Sequence, residues 1–244
     1  MSEESETELE ARLPEQESFE PPEEFVEQAN VTDGSVHERF DENWPDCWEE
    51  AADLVDWYEG YDEVLDDSDA PFYEWFVGGE LNACHNCVDR HLDERGDATA
   101  VEWIGEHGDT RSYTYQELYD EVNELASALR ELGVGEGDVV TMYMPMVPEL
   151  PVALATRMES ASSEYLVTCD GYYRRGEALK HKEKADEGLS EVDHGVEDVV
   201  VVDRLRDDYN HSLGENEHDY GALLNDHRGE TVEPVERDAE DMLF

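Results

Sequence analysis

Residues 139–143 are Val-Val-Thr-Met-Tyr, a short apolar run bounded by turn residues on its N-terminal side. Two further runs of the same kind are Tyr165 to Cys169 and Val199 to Val202. Short runs rich in β-branched residues are typical of strands that are buried on both faces. A Lys/Glu-rich helix is predicted over residues 178–189, between the second and third runs. The alternation predicts an α/β fold, a parallel sheet with flanking helices.

A strand pair and a long helix are predicted just before this sheet. Residues 98–104 alternate like a strand, residues 106–109 form a turn, and residues 111–114 form the returning strand. The sequence from Thr114 to Glu117 fits a capping box, in which the two side chains satisfy each other's free backbone amides. An apolar stripe at helical spacing follows, and Gly133 is placed where the helix ends.

The first 97 residues are different in character. Residues 1–24 are Glu-rich, contain three prolines and are predicted to be a disordered acidic tail. Residues 25–97 are predicted to be a small acidic lobe, built of short helices as far as residue 69, whose tryptophans and tyrosines pack internally. Residues 98–244 are then the incomplete larger α/β domain.

The charge balance is the most unusual property of the composition. Sixty-seven Asp and Glu residues face 16 Lys and Arg residues, which gives a formal net charge of −51. Repulsion between so many like charges opposes folding at low ionic strength, and molar salt screens it beyond about 3 Å. Because the acids are interleaved with apolar segments along the whole chain, we interpret them as salt adaptation rather than as a disordered tail or a nucleic-acid mimic. A nucleic-acid partner is not expected, since no basic patch is present.

No apolar run approaches the ~20 residues of a membrane span, and the acidic N-terminus does not resemble a signal peptide. The four cysteines do not form the framework of a secreted protein. We therefore predict no membrane partner and a cytoplasmic location.

Three stretches resemble the AMP-forming acetyl-CoA synthetases, which belong to the adenylate-forming enzymes. The first is Phe72 to Asn82 with Asp89 to Leu92, the second is Ser112 to Leu118 with Tyr143 to Leu150, and the third is Asp170 to Gly176. The resemblance covers most of residues 25–244 in the order of the family. It implies the large N-terminal domain of such an enzyme, preceded by its small lobe, and the conversion of acetate, ATP and CoA to acetyl-CoA, AMP and diphosphate, with Mg²⁺.

The chain also departs from the family pattern. In the family, an Ala/Gly-rich segment, a buried strand and a Gly-Gly-Phe turn separate the counterparts of Ala153 and Leu154, which are adjacent here. A deleted strand predicts unpaired ladder amides, and weaker ordering of residues 154–244 than of residues 98–150. The Thr/Ser/Gly-rich loop that wraps the ATP phosphates in the family is not found in these 244 residues. We therefore expect no catalytic residues in this chain.

The resemblance implies that Arg174 and Arg175, in a loop between Gly171 and Gly176, bind the phosphates of CoA. A guanidinium fork suits a phosphate because it donates two parallel hydrogen bonds. The family often has another cation after the glycine, where this chain has Glu177. The alternative is two exposed arginines that pair with some of the many carboxylates.

The spacing of Cys84, Cys87 and His91 is compatible with zinc ligands, but a fourth ligand such as Cys47 or Cys169 would have to come from elsewhere in the chain. The family does not bind metal here, so we expect no metal site. A separate group of histidines, His107, His181 and His194, lies among acids and is predicted to be at the surface.

Two classes of function remain open. One is an enzyme fragment that is inactive alone. The other is a non-catalytic acidic module that retains part of a CoA site, or that docks onto a full-length synthetase. CoA is then the only small-molecule partner expected.

Overall fold

The computed structural model describes residues 21–155, 163–190, 196–205, 208–209 and 211–241. Contacts between residues divide the chain into two compact units, Met1–Ala51 and Ala52–Phe244. Most of the predicted acidic tail lies outside the described residues, and a helix begins at Glu23, inside the range predicted for the tail. Within the described ranges, no helix combines the length and apolarity needed to cross a bilayer.

The described helices are α1 (Glu23–Gln28), α2 (Ser35–Glu42), α3 (Glu49–Ala52), α4 (Ala83–Cys87), α5 (Leu92–Arg95), α6 (Tyr115–Glu131), α7 (Leu150–Ala155), α8 (His181–Ser190) and α9 (Tyr220–Asp226). The described strands are β1 (Glu63–Asp66), β2 (Glu74–Val77), β3 (Glu80–Leu81), β4 (Thr99–Ile104), β5 (Thr110–Thr114), β6 (Val139–Tyr143), β7 (Ser163–Cys169), β8 (Gly171–Arg174), β9 (Glu177–Lys180), β10 (Asp198–Val202), β11 (Glu217–Asp219) and β12 (Arg237–Asp238). Short 3₁₀ turns cover Asp46–Trp48 and Asp89–His91.

The first unit is helical where it is described. Phe40 and Trp48 form an edge-to-face pair in it, with ring centroids 5.9 Å apart. Arg39 joins α2 to Glu50 through an ion pair of 3.1 Å. Both side chains of that pair are more than half exposed, so the pair contributes little to stability.

The predicted lobe is not wholly helical, because β1 pairs antiparallel with β2 and β3 pairs with β12. Its aromatic core is the cluster of Trp57, Tyr61 and Phe76, with centroids 5.1–5.6 Å apart. Gly79 is required beside it, since a Cβ there would lie 2.6 Å from the Trp57 ring. The prediction of internal aromatic packing is confirmed for this cluster, whereas Trp44 is 57% exposed.

The predicted capping box of α6 is present. The Thr114 hydroxyl accepts from the Glu117 amide at 3.1 Å, and the Glu117 carboxylate accepts from the Thr114 amide at 2.9 Å. The predicted stripe is buried at Leu118, Val122 and Leu125. After the helix, Gly133 adopts φ +104°, as a left-handed C-terminal residue requires.

Four strands form the parallel sheet, in the order β11–β10–β7–β6. β7 pairs in parallel with β10 on one side and with β6 on the other. The pairing of β6 with β7 runs from Val139 opposite Ser163 to Tyr143 opposite Thr168. The ladder between β6 and β7 shifts register only between Val139 and Val140. The expectation of unpaired amides beside a deleted strand is therefore wrong between these two strands, because they pair directly.

Both faces of this sheet are covered, as the strand pattern predicted. On one face, strand residues such as Val167 and Val200 share a core cluster with Leu125 of α6 and Leu224 of α9. On the other face, Leu166, Val199 and Val201 cluster with Ala185 of α8.

The predicted helix over residues 178–189 begins later than expected. Residues 177–180 form β9, which pairs antiparallel with β8, and α8 starts at His181. The physical reason is a two-residue turn at Arg175 and Gly176, which returns the chain along β8 before a helix can begin.

Candidate functional site

The residues predicted to bind CoA lie on the β8–β9 hairpin, not in an open loop. Arg174 is the last residue of β8, opposite Glu177, and Arg175 is the first residue of the turn. Arg175 and Gly176 have φ values of +54° and +78°, which is the pattern of a tight hairpin turn with both central residues left-handed. A left-handed backbone conformation is strained for an arginine, and the Arg175 side chain is exposed.

A groove of about 380 Å³ lies beside this hairpin, at the ends of several strands. Its described lining includes Arg174 but not Arg175, so the structure separates the two predicted residues. The other lining residues come from the end of β4 and its turn, from the loop after β6, from β8 and from the loop after β10: Trp103, Ile104, Gly105, Glu106, Pro145, Met146, Val147, Tyr172, Tyr173 and Arg204.

Two contacts fix the β8–β9 hairpin to the β4–β5 turn. The Gly176 amide donates to the Glu106 carboxylate at 2.6 Å. The His107 ring lies against Tyr173 with centroids 4.4 Å apart. His107 is exposed, as predicted. These contacts set the width of the groove and engage Glu106, which is an acid that lines it.

Arg204 is the second cation of the groove. Its guanidinium lies 4.6 Å from the centroid of the Trp103 ring and donates to the Asp109 carboxylate at 2.6 Å. The Trp103 indole donates in turn to the Met146 carbonyl at 2.8 Å. The Arg204 guanidinium holds the pKa of the Asp109 carboxyl below its usual value. Arg204 is therefore held by an ion pair with Asp109 and by stacking on the Trp103 ring, which is itself fixed by a hydrogen bond.

Asp170 organises the backbone around the groove. Its carboxylate is buried and accepts from the amides of Gly171, Arg204 and Leu205 at 2.6–3.1 Å. Its carbonyl accepts from the first two amides of α8. Burial raises the pKa of this carboxyl, and the three amides oppose that shift. One side chain thus ties the start of β8 to the loop that carries Arg204.

His181 is buried, so its prediction as a surface residue is wrong. It stacks on Tyr143 with centroids 4.0 Å apart and an interplanar angle of 18°, and its Nε2 atom has no hydrogen-bond partner. Burial lowers the pKa of this imidazole. His181 is buried because the β8–β9 hairpin brings its ring against Tyr143 of β6 and Tyr172 of β8. His194 lies outside the described residues.

The cysteine and histidine residues near α4 are placed apart. Cys84 packs against the main core, Cys87 is exposed, and His91 lies against Tyr115 with centroids 5.1 Å apart. Within the described ranges, no group of three or more potential ligands is arranged to hold a metal ion. Burial raises the pKa of the Cys169 thiol to about 12, which disfavours the thiolate that zinc requires.

Sequence reasoning missed Trp103, Asp170 and Arg204 as members of the site. A signal was available for two of them, because Asp170 and Arg204 follow β7 and β10 closely. Ligands in open α/β sheets bind outside the carboxyl ends of the strands. Trp103 offered no comparable signal, since it reads as an ordinary strand residue.

The fold is shared with a solved synthetase. The structure of acetoacetyl-CoA synthetase from Streptomyces lividans matches 89% of this chain and 38% of that chain, with a TM-score of 0.72 and 23% identity. The likeness shows a shared fold, which is mixed α/β with a parallel sheet.

Sequence comparison identifies the family more closely. The family of the acetyl-coenzyme A synthetase N-terminus matches residues 34–87, and the AMP-binding enzyme family matches residues 88–159. The acetyl-coenzyme A synthetase of Mycolicibacterium smegmatis is 40% identical over 211 residues, which cover 77% of this chain and 22% of that protein. The acetyl-coenzyme A synthetase of Thiobacillus denitrificans is 38% identical over 264 residues, which cover 97% of this chain and 40% of that protein.

The chain matches a part of an AMP-forming acyl-CoA synthetase, and it spans less than half the length of these curated relatives. The alignment with the Thiobacillus protein has 264 positions, whereas this chain has 244 residues. That relative therefore has at least 20 residues without a counterpart here (264 − 244).

Proposed function

We propose that this chain carries the N-terminal, CoA-facing part of an AMP-forming acetyl-CoA synthetase and does not catalyse adenylation by itself. The whole reaction would convert acetate, ATP and CoA to acetyl-CoA, AMP and diphosphate. The observation that carries the CoA part is the groove beside the β8–β9 hairpin, which places Arg174 and Arg204 on one surface of a chain with a net charge of −51.

The state of the arginines supports a phosphate ligand. Both Arg174 and Arg175 are exposed, and among the described residues neither forms an ion pair with a carboxylate. The alternative, in which they serve only to pair with neighbouring acids, predicts such pairs. A guanidinium that is free of carboxylates can donate two hydrogen bonds to a phosphate of CoA.

The residues at hand fit CoA phosphates better than they fit ATP with Mg²⁺. The sequence has no Thr/Ser/Gly-rich loop with a lysine for the triphosphate, and its lysines are Lys180, Lys182 and Lys184. Lys182 is buried and bound by Asp186 and Glu217, so it is not available to a nucleotide. No chemical step through ATP or the metal is therefore assigned to this chain.

The proposal includes the cellular location of the protein. We place the protein in a cytoplasm rich in salt, because the acid excess needs screening and because ATP and CoA are cytoplasmic substrates. The acidic surface also supports the absence of nucleic acid among the partners, since phosphates would be repelled over most of it.

Acetate-dependent exchange between ATP and pyrophosphate tests the catalytic half of the proposal. The purified chain, in molar KCl with Mg²⁺, should show no exchange above background, because loss of even one preorganised donor costs about a hundredfold or more. The Arg174→Ala, Arg175→Ala double variant is run in parallel to expose a contaminating host enzyme. Exchange that is well above background in the wild type and absent from the double variant would overturn the proposal.

A second candidate is a CoA-binding or docking module without any catalytic role. The direct pairing of β6 with β7 favours it, because the described part of the sheet is continuous without the deleted strand. The two candidates differ in their response to a full-length synthetase. A CoA-facing fragment that does not dock leaves that enzyme's rate and oligomeric state unchanged when the two are mixed, whereas a docking module changes one of them.

A further inference from the structure

We propose that Arg204 is a second phosphate-binding residue of the groove and acts with Arg174 on one phosphoryl group of the bound ligand. The inference rests on the proposed CoA function and adds a residue that the hairpin alone does not supply. Both arginines line the same groove, although they come from separate segments, the end of β8 and the loop after β10.

The charge around the groove suits a dianion. A phosphomonoester carries about two negative charges at neutral pH, so two cations match it better than one. Of the nearby acids, Glu106 already accepts from the Gly176 amide, and Asp109 already pairs with Arg204. Asp109 occupies one of the five N–H donors of the guanidinium, which leaves others for a ligand.

Arg204 is also positioned before any ligand arrives. The Trp103 ring supports the flat face of its guanidinium, Asp109 fixes one edge, and Asp170 holds its backbone amide at 2.8 Å. The side chain is only 21% exposed, so few of its conformations remain to be lost on binding. Preorganisation of this kind raises affinity by lowering the entropic cost of binding.

This arrangement differs from an ordinary surface ion pair. The Arg39 side chain of the Arg39–Glu50 pair is 53% exposed, whereas the Arg204 side chain is 21% exposed. Arg204 combines an ion pair, a stacked ring and a buried carboxylate under its backbone beside an open volume. Asp170 is accordingly a positioning residue for Arg204 and is not expected to touch the ligand.

Isothermal titration with CoA tests the proposal on the full chain, at a KCl concentration where circular dichroism shows it folded. We expect Arg174→Ala and Arg204→Ala each to weaken binding at least about tenfold, the usual loss for a hydrogen bond to a charged group. The double variant should lose less than the product of the two effects, because both residues serve one phosphoryl group. Arg228→Ala removes an exposed cation outside the groove and should change affinity less than about twofold.

Arg204→Lys keeps the charge and the Asp109 pair, and it covers the case in which the alanine variant does not fold. An ammonium cannot bind a phosphate bidentately, so we expect this variant to weaken CoA binding several-fold. Wild-type affinity in folded Arg204→Lys, or fully multiplicative losses in the double variant, would overturn the inference while the CoA function stands. A folded wild-type chain that binds no CoA would instead refute the proposed function.

Discussion

The two faces of the parallel sheet are buried by very different amounts of apolar material. On the first face, Val167 and Val200 pack with α6 and α9 in a large core that continues into β5 and α7. On the second face, the described part of the cluster is smaller. It joins three strand residues to Ala185 of α8 and to two partly buried residues, Leu189 and Val196. A strand pattern that predicts two covered faces does not say how well each is covered.

The second face, called the thin face below, is also held by polar contacts. Lys182 of α8 is 5% exposed at its side chain and donates to Asp186 at 2.8 Å and to Glu217 of β11 at 2.7 Å. Such a pair positions a helix well but adds little net stability, since desolvation of the charges offsets their attraction. The comparison therefore predicts that α8 is the weaker of the two coverings.

A change in salt concentration should have the largest effect on the stability of the fold. Lowering KCl from molar to dilute levels is expected to unfold the chain, because a net charge of −51 is then unscreened. As salt falls, the amides of α8 should lose hydrogen-exchange protection before those of α6. Circular dichroism and hydrogen exchange across one salt series measure both effects. A cooperative fold that is unchanged in dilute buffer, or equal protection of the two helices, would contradict this prediction.

Core truncations on the two faces should differ in cost. Leu125 is fully buried in the large cluster, so Leu125→Ala should destabilise the fold by about 4 kcal/mol. Leu166 is 6% exposed in the small cluster, where neighbours can collapse, so Leu166→Ala should cost about 2 kcal/mol. Urea unfolding in molar KCl gives both values. A larger loss at Leu166 would show that the thin face carries the stability.

Removal of the buried Lys182 side chain should lower the free energy of unfolding about as much as Leu166→Ala. Lys182→Ala leaves Asp186 and Glu217 close together without the cation that both contact, and we expect a loss of about 2 kcal/mol, discounted because Asp186 is half exposed. Lys184→Ala is the matched control, since it removes the same charge from an exposed position of the same helix and should cost less than about 0.5 kcal/mol. Similar losses in both variants would mean that net charge, rather than the buried contact, is responsible.

Local patterns predicted the large face well. The capping residues Thr114 and Glu117, the apolar stripe of α6 and the glycine after it are all signals within a few residues of one another. They specify a helix without reference to the rest of the chain. The composition that predicted a helix from residue 178 failed as far as residue 180, because a tight turn at Arg175 and Gly176 returns the chain as a strand.

The candidate site could be predicted only in part. Arg174 was found through the resemblance, but Arg204 joins it through a contact across the fold, since Asp109 and Arg204 are 95 residues apart. The burial of His181 follows from the stacking of Tyr143 on it, which depends on how β6 pairs with β7. Sequence neighbours do not report such long-range contacts, so these residues became visible only in the structure.

The smallest predicted effect concerns His181, where α8 begins against the sheet. Burial lowers the pKa of this imidazole, and a hydrogen bond with the Tyr143 backbone only partly opposes the shift. A base with a lowered folded-state pKa stabilises the fold above its unfolded pKa of about 6.5, and that stability is lost as the pH falls further. The loss is at most about 1.4 kcal/mol per pH unit, because one proton binds only to the unfolded chain.

His181→Phe keeps a flat ring against Tyr143 and removes both the titrating group and the unpartnered Nε2 atom. Between pH 7.5 and pH 5.5 in molar KCl, the free energy of unfolding should therefore fall less in this variant than in the wild type. All other titrating groups are common to the two proteins, so the difference between the two slopes isolates His181. His107→Phe, at an exposed position, is the control and should retain the wild-type slope. Equal slopes in His181→Phe and the wild type would mean that the imidazole takes up its proton within the fold, and that the thin face opens to water where α8 begins.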